Sequence, residues 1–319
     1  MLLISEGDFK EAVTITDVID TVRTALRDYS QGLIHVPPRI AMNIRGAANS
    51  VIFLAANCLS MPYYGIKHAC SFPSNKEKGL DTVLSEIHLY CAETGRLLAL
   101  IDAKLLTAMK TGAAGAVATD LLARKGDTVL AIIGTGIQAR TQLEAIQQVR
   151  SLSRVKIFDT SLPRAEEFAK YIETVRNKDF PVTIARSADE CVADASVVCT
   201  TTTSLTPVFP GDCLMDGAHI NAIGSFTPAM QEIDTRTVVK ASKIVTDDQK
   251  ETWEVAGDLL VPLNEGAISR SKIYGELGDI VSGKIPGREH EAEITVYESV
   301  GFAALDVAVA AVAYQTLSG

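Results

Sequence analysis

Residues 128–159 read TVLAIIGTGIQARTQLEAIQQVRSLSRVKIFD. Val129 to Ile133 is an apolar run rich in β-branched residues and too short for a helix, the pattern of a strand buried on both faces of a parallel sheet. Gly134, Gly136 and Ala139 follow at once in the spacing G-x-G-x-x-A. A helical period then places Ile137, Leu143, Ile146 and Val149, and a second apolar run, Val155 to Phe158, closes on Asp159. This is a strand, tight turn, helix and strand in direct succession. In such a unit the first glycine permits the turn and the second lets the backbone approach a pyrophosphate at the positive end of the helix. The third small residue keeps helix and strand close.

Asp159 follows the first glycine by 25 positions (159 − 134) and ends the second strand. A carboxylate there can accept hydrogen bonds from the adenosine ribose hydroxyls. It would repel a 2′-phosphate, and Thr160 and Ser161 bring no Arg beside it; Arg164 is the nearest. NAD(H) is therefore favoured over NADP(H). The expected cofactor contacts in this unit are Gly134, Thr135, Gly136, Ile137, Gln138, Ala139, Asp159 and Thr160. A bare glycine motif also occurs in ordinary turns; the flanking strand, helix and acid distinguish this one.

The surrounding chain has 319 residues, a length for two domains, with 47% hydrophobic and 22% charged residues. A net charge of −9 without a Lys/Arg cluster argues against a nucleic-acid surface. The start, MLLISEGDFKEAV, has no basic segment of a signal peptide, and no apolar run approaches the ~20 residues of a membrane span. Six scattered cysteines without C-x-x-C read as reduced thiols of a cytoplasmic protein. The five histidines show no ligand spacing, and His219 and His88 read as packed strand residues, so no metal is expected.

Upstream, Thr16-Asp17 are placed to cap a helix through Tyr29, with Val18, Ile19, Val22 and Leu26 on one face. From Val36 to Leu100 short β-like runs alternate with turn signals at 43–50, 73–79 and 93–95, which reads as a mixed sheet. Asp102 caps a helical stretch ended by Gly126. Its middle, Thr111 to Ala118, is almost all Gly and Ala. That signals either close backbone packing against the sheet or a break, with a fresh helix N-terminus at Thr111 that offers N–H groups to a phosphate.

Downstream, the α/β alternation continues. Helix 164–176 is followed by strands at 182–185, 195–200, 219–223 and 243–246 and a short helix near Ala188. Thr201 and Thr202 follow one strand end and Ser225 another, where ligands of doubly wound sheets bind. The tail reads as a strand, ITVY, and a helix apolar nearly all round, hence buried. The fold class expected is α/β, a doubly wound Rossmann sheet inserted into a mixed α+β domain. Residues 1–117 with 293–319 would form one domain and 118–292 the nucleotide-binding one.

Eight stretches in order carry a resemblance: PPRI (37–40), GIKHA (65–69), KGLDTV (78–83), KTGAAGAVAT (110–119), GTGIQA (134–139), GAHINAIGS (217–225), GELGDIVSG (275–283) and EITVYESVGFAALD (293–306). Together they resemble the ornithine cyclodeaminase/μ-crystallin family, near its archaeal alanine dehydrogenase and ketimine reductase types. The resemblance implies a homodimer, a first domain carrying dimer interface and substrate pocket, and hydride transfer between a nicotinamide and the α-carbon of a small amino or imino acid. It assigns Arg39 and Lys67 to the substrate carboxylate, Lys67 also to proton transfer, and Thr82 to the substrate side. Read without it, Arg39 and Lys67 are ordinary surface cations.

Two positions depart from the family pattern. Lys110 stands where Arg is usual, which keeps the charge at the substrate carboxylate and loses the planar fork. Phe226 stands where ornithine cyclodeaminases carry an Asp that serves the distal amine. An imino-acid reductase or alanine-type dehydrogenase is therefore expected. Ornithine cyclodeamination would require another acid, such as Asp81 or Glu232. A non-catalytic small-molecule-binding protein of the μ-crystallin type is a third reading.

Overall fold

The computed structural model describes residues 1–46, 49–174 and 179–319. The chain divides into two units, residues 1–110 with 302–319 and residues 111–301.

The first unit begins with β1 (Leu2–Ile4) and two helices, α1 (Glu6–Ala12) and α2 (Ile15–Ser30). Both start in reciprocal caps: Ser5 with Asp8, and Thr14 with Asp17. Asp17 is thus the third residue of its helix. Its carboxylate accepts the Thr14 N–H at 2.9 Å, so the cap is Thr14 and not the expected Thr16. The expected apolar stripe of α2 is buried at Val18, Ile19, Val22 and Leu26.

Strands β2 (Ile34–His35), β3 (Ile40–Asn43), β4 (Ser50–Cys58), β5 (Tyr63–Ser71), β6 (Val83–Cys91) and β7 (Leu97–Asp102) complete a mixed sheet in the order β1-β7-β6-β5-β4-β2, with β3 also on β4. Only the β1–β7 pair in it is parallel. The C-terminal helix, Ala303–Ser318, packs on α2, β4 and β5. Its Val307 would touch a Cβ on Gly65 at 3.0 Å, so β5 and the helix meet backbone to side chain at that glycine. A helix buried nearly all round needs an apolar composition, and this one has it.

Helix α3 (Lys104–Leu122) contains the boundary between the units and is unbroken. The expected fresh N-terminus at Thr111 does not exist, and the Thr111 N–H lies inside the helix. The glycines serve close packing, against a helix rather than a sheet. A Cβ on Gly112 would stand 2.5 Å from the Thr141 carbonyl oxygen, and one on Gly115 would stand 2.2 Å from Gln142 Oε1.

The second unit runs through β8 (Thr128–Ile133), α4 (Ile137–Val149), β9 (Leu152–Phe158), α5 (Leu162–Thr174), β10 (Val182–Ile184), α6 (Ala188–Val192), β11 (Val197–Thr200) and β12 (His219–Ala222). It continues with α7 (Thr235–Lys240), β13 (Lys243–Thr246), α8 (Gln249–Val255), α9 (Gly257–Asn264), β14 (Ile273–Glu276), α10 (Leu277–Val281) and β15 (Thr295–Glu298). The expected end of α5, 175–176, lies outside the described residues.

Its eight strands form one parallel sheet, β10-β9-β8-β11-β12-β15-β13-β14. The order reverses between β8 and β11, the crevice where doubly wound sheets bind dinucleotides. Ile132, Val198, Ile220, Ile244 and Val296 are buried across the sheet. Thr295–Glu298 pairs with β12 on one side and β13 on the other. The expected domain limit at 292/293 would remove this central strand from its sheet, and the chain divides at 301/302 instead. His219 is buried as expected of a packed strand residue, with its ring nitrogens 2.9 Å from Thr295 Oγ1 and 3.0 Å from Asn221 Oδ1. Burial pushes its pKa down to about 3, so the ring is neutral. No helix among the described residues is long and apolar enough to cross a membrane.

Candidate active site

The candidate cofactor site lies on the second unit. Gly134 has φ +87°, a conformation only glycine adopts at low cost. A Cβ there would stand 2.8 Å from Thr202 Cγ2 and 2.9 Å from the Thr201 carbonyl oxygen. The Gly134 carbonyl accepts the Thr201 hydroxyl at 2.9 Å, so the ends of β8 and β11 are fastened to each other. Gly136 caps α4 without any side-chain cap bond, and a Cβ on it would meet nothing within 4 Å. The N-terminus of a thirteen-residue helix therefore opens onto free space. N–H groups, dipole and room are what a pyrophosphate needs. Ile137 is exposed beside this opening, Gln138 Oε1 is buried without a hydrogen bond, and Ala139 is packed in the core.

Asp159 ends β9 as expected and is already in use. Its Oδ2 accepts the Thr135 N–H at 3.1 Å and the Thr135 hydroxyl at 2.8 Å, and its Oδ1 accepts the Ser161 N–H at 2.9 Å. A carboxylate has about four acceptor directions. The one left over can take a ribose hydroxyl while the others hold the glycine loop. Thr160 is exposed next to it. Among the other expected contacts, Thr202 is half-buried, and the Ser225 hydroxyl is spent on the Met230 carbonyl at 3.0 Å. Any contact from Ser225 to a cofactor comes from its backbone. Thr111 is buried, and its carbonyl accepts Gln142 Nε2 at 3.1 Å. These residues fit a dinucleotide.

We expect Asp159→Ala to raise the ratio of kcat/KM for NADPH to that for NADH, by roughly tenfold per 1.4 kcal/mol of repulsion removed. Steady-state rates with both cofactors check this. An unchanged ratio, or a wild type that prefers NADPH, would refute the assignment.

On the first unit the structure brings together Lys67, Lys110, Arg39 and two residues that sequence reasoning missed. Lys67 sits on β5 opposite Leu54 and Ile87 and is 4% exposed, not the surface cation its bare sequence context suggests. Its Nζ donates to Thr107 Oγ1 at 2.7 Å and to Asp306 Oδ1 at 3.0 Å. Asp306 is fully buried in the first turn of the C-terminal helix. Its other oxygen has no hydrogen bond among the described residues and stands 3.5 Å from Lys110 Nζ. Burial is the largest cause holding the Lys67 ammonium below the ordinary lysine range. Asp306 opposes the shift, and the charges of Lys110 and Arg39 add to it.

Two buried ammoniums thus face one buried carboxylate, leaving a positive charge that a bound carboxylate would balance. A signal for Asp306 was present: it is the sole charged residue in a helix of apolar and small residues. Thr82 directly precedes β6, and its carbonyl accepts the Phe72 N–H at 2.8 Å.

The sequence profile described as the ornithine cyclodeaminase/mu-crystallin family matches residues 2–319. The chain belongs to this family.

A Delta(1)-pyrroline-2-carboxylate reductase of Bacillus cereus is 36% identical over 315 residues, 99% of this chain and 96% of the relative. The Thermococcus litoralis Delta(1)-pyrroline-2-carboxylate reductase, solved in complex with NADH and L-proline, superposes with a TM-score of 0.95. It is 34% identical, and the match covers 100% of this chain and 98% of that one. An archaeal alanine dehydrogenase dimer with bound NAD matches with a TM-score of 0.93 at 34% identity, covering 100% and 96%.

Against the ornithine cyclodeaminase/μ-crystallin pattern the two departures now have surroundings. Lys110 is 3% exposed and faces Asp306. Phe226 is 45% exposed on the loop after β12, so its ring is not folded into the core. The two acids that could replace the cyclodeaminase Asp are both engaged. Asp81 is bound by Lys104 Nζ at 2.7 Å, and Glu232 is buried against backbone N–H groups.

Proposed function

We propose that this protein is an NAD(H)-dependent reductase of small cyclic imino acids, with alanine-type amino-acid dehydrogenation as the related activity of the same site. The observation that carries the reading is the buried Lys67–Asp306–Lys110 cluster, a cationic cage with one proton-bearing group set below the ordinary lysine range. Arg39 and Lys110 anchor the substrate carboxylate. Lys67 places its Nζ proton at the substrate nitrogen, and Thr107 and Asp306 fix that Nζ in orientation. NADH, when bound, supplies the hydride. With that hydride on the imine carbon, the Lys67 proton on the nitrogen would complete the change from C=N to CH–NH.

Phe226 favours this substrate class over ornithine. Phe226 stands where ornithine cyclodeaminases carry the Asp that serves the distal amine, and a phenyl ring cannot pair with an ammonium. A cyclic imine has no distal charge, and its ring buries apolar area at about 25 cal/mol per Å². We also propose a homodimer, supported by the exposed apolar strand positions Ile40 and Met42 and by Val83 and Leu84 on the same sheet. The free thiols at all six cysteines support a reducing, cytoplasmic setting.

The test is NADH oxidation with pyrroline-2-carboxylate, piperideine-2-carboxylate, and pyruvate plus ammonia, alongside proline formation from ornithine. The wild type should turn over one or more of the first three and form little proline from ornithine. Phe226→Asp should shift the ratio towards ornithine. Efficient proline formation by the wild type would overturn the proposal.

A further inference from the structure

The Glu232 side chain, between β12 and α7, is fully buried in the second unit. Its Oε1 accepts the Thr202 N–H at 2.5 Å and its Oε2 accepts the Gly224 N–H at 2.7 Å. Thr202 lies just beyond the end of β11, and Gly224 lies just beyond the end of β12. One carboxylate therefore joins two adjacent strand ends. The joint is tight: a Cβ on Gly224 would stand 2.1 Å from the Thr202 carbonyl oxygen and 2.7 Å from the Glu232 carboxylate. The backbone that carries Glu232 is itself held. Asp258, in the first turn of α9, accepts the Glu232 N–H at 2.6 Å and the Ile233 N–H at 2.9 Å on one oxygen.

In a doubly wound sheet the two mononucleotide halves of a dinucleotide lie on either side of the switch point. Gly134–Ala139 and Asp159, at the ends of β8 and β9, mark the pyrophosphate and adenosine half. The ends of β11 and β12 belong to the other half. We propose that Glu232 is the positioning residue of the nicotinamide half of the site, holding the Thr201–Thr202 and Gly224–Ser225 loops in their binding geometry through its two carboxylate oxygens. The proposal rests on the reading of the protein as an NAD(H) enzyme.

The chemistry requires a carboxylate. Both loop groups are N–H donors, so both side-chain atoms facing them must accept. An amide in the same place would turn an NH₂ towards one N–H, and a protonated carboxyl would accept more weakly at the oxygen that carries the proton. The titratable groups around Glu232 are Asp258 on α9, Glu298 at the end of β15 and the Cys199 thiol on β11. Burial raises the Glu232 pKa, its hydrogen bonds to Thr202, Thr200 and Gly224 opposing the shift. The clamp then begins to open on acidification while ordinary surface carboxylates are still ionised.

The experiment is equilibrium binding of two probes, NADH and AMP, to the wild type and Glu232→Gln. AMP carries the adenosine half alone. The variant should bind NADH about ten- to a hundredfold more weakly, the scale of one lost hydrogen bond to a charged group, with AMP affinity unchanged. A merely structural role would weaken both probes together, and that result overturns the proposal, as does unchanged NADH affinity. Wild type that fails to bind NADH would overturn the cofactor reading and this inference with it.

A second arm needs no variant. In the wild type the ratio of NADH to AMP affinity should fall as the pH is lowered through the raised Glu232 pKa, and a flat ratio overturns the proposal even where Glu232→Gln does not fold.

Discussion

Lys67→Ala is expected to lose a hundredfold or more in kcat for imine reduction, the usual scale for a general acid or base, while NADH affinity stays at the wild-type value. The loss follows from what the side chain does. Its Nζ is held on two sides, by Thr107 and Asp306, with burial keeping its proton less tightly bound than in free lysine. Alanine leaves Asp306 to Lys110 alone and removes the proton donor. Cofactor affinity should be untouched because the proposed cofactor contacts, Gly134–Ala139 and Asp159, belong to the other unit. Stopped-flow single turnovers and NADH fluorescence titration separate the two. Retained turnover would remove Lys67 from the chemistry, and lost NADH binding would show a disturbed fold.

Asp306→Asn should produce the largest change in stability, about 3–5 kcal/mol, because it leaves two buried ammoniums facing each other without a counter-ion. The midpoint of urea denaturation measures it, and an unchanged midpoint would contradict the burial of charge inferred for the cluster. The same substitution has a pH signature. Asp306 supports the charged form of Lys67, so removing it lowers the Lys67 pKa further. In the proposed reaction the protonated lysine donates, so the rate should fall as pH rises through that pKa. In Asp306→Asn this fall should therefore begin at lower pH than in the wild type.

Local signals carried the nucleotide-binding unit. A strand, a glycine turn, a helix and a second strand occupy 32 consecutive residues, and each reads from its own period, so 128–159 could be parsed before any tertiary contact was known. The mixed sheet was legible for the same reason, from short β-branched runs between turn signals. The glycines of α3 announced a close approach because their cost inside a helix needs a cause; which surface approached, Thr141 and Gln142 of α4, is a matter of packing.

The rest was decided by pairings between distant residues. Lys67 and Asp306 are 239 positions apart, and no period in either segment refers to the other. Lys67 looked like a surface cation because local sequence does not report burial, which depends on what a helix from the far end of the chain covers. Thr295–Glu298 joined the second unit because only β12 and β13 together satisfy both its edges. In the sequence Glu232 stood out only as a possible substitute for the cyclodeaminase Asp. Its function as a clamp exists only where the fold aims two backbone N–H groups at it. Sequence by itself thus determined the elements and the chemical class of the cofactor turn, since these rest on local periods and backbone constraints. Tertiary structure alone decided the charge balance of the site, because burial and counter-ions are properties of the assembled core.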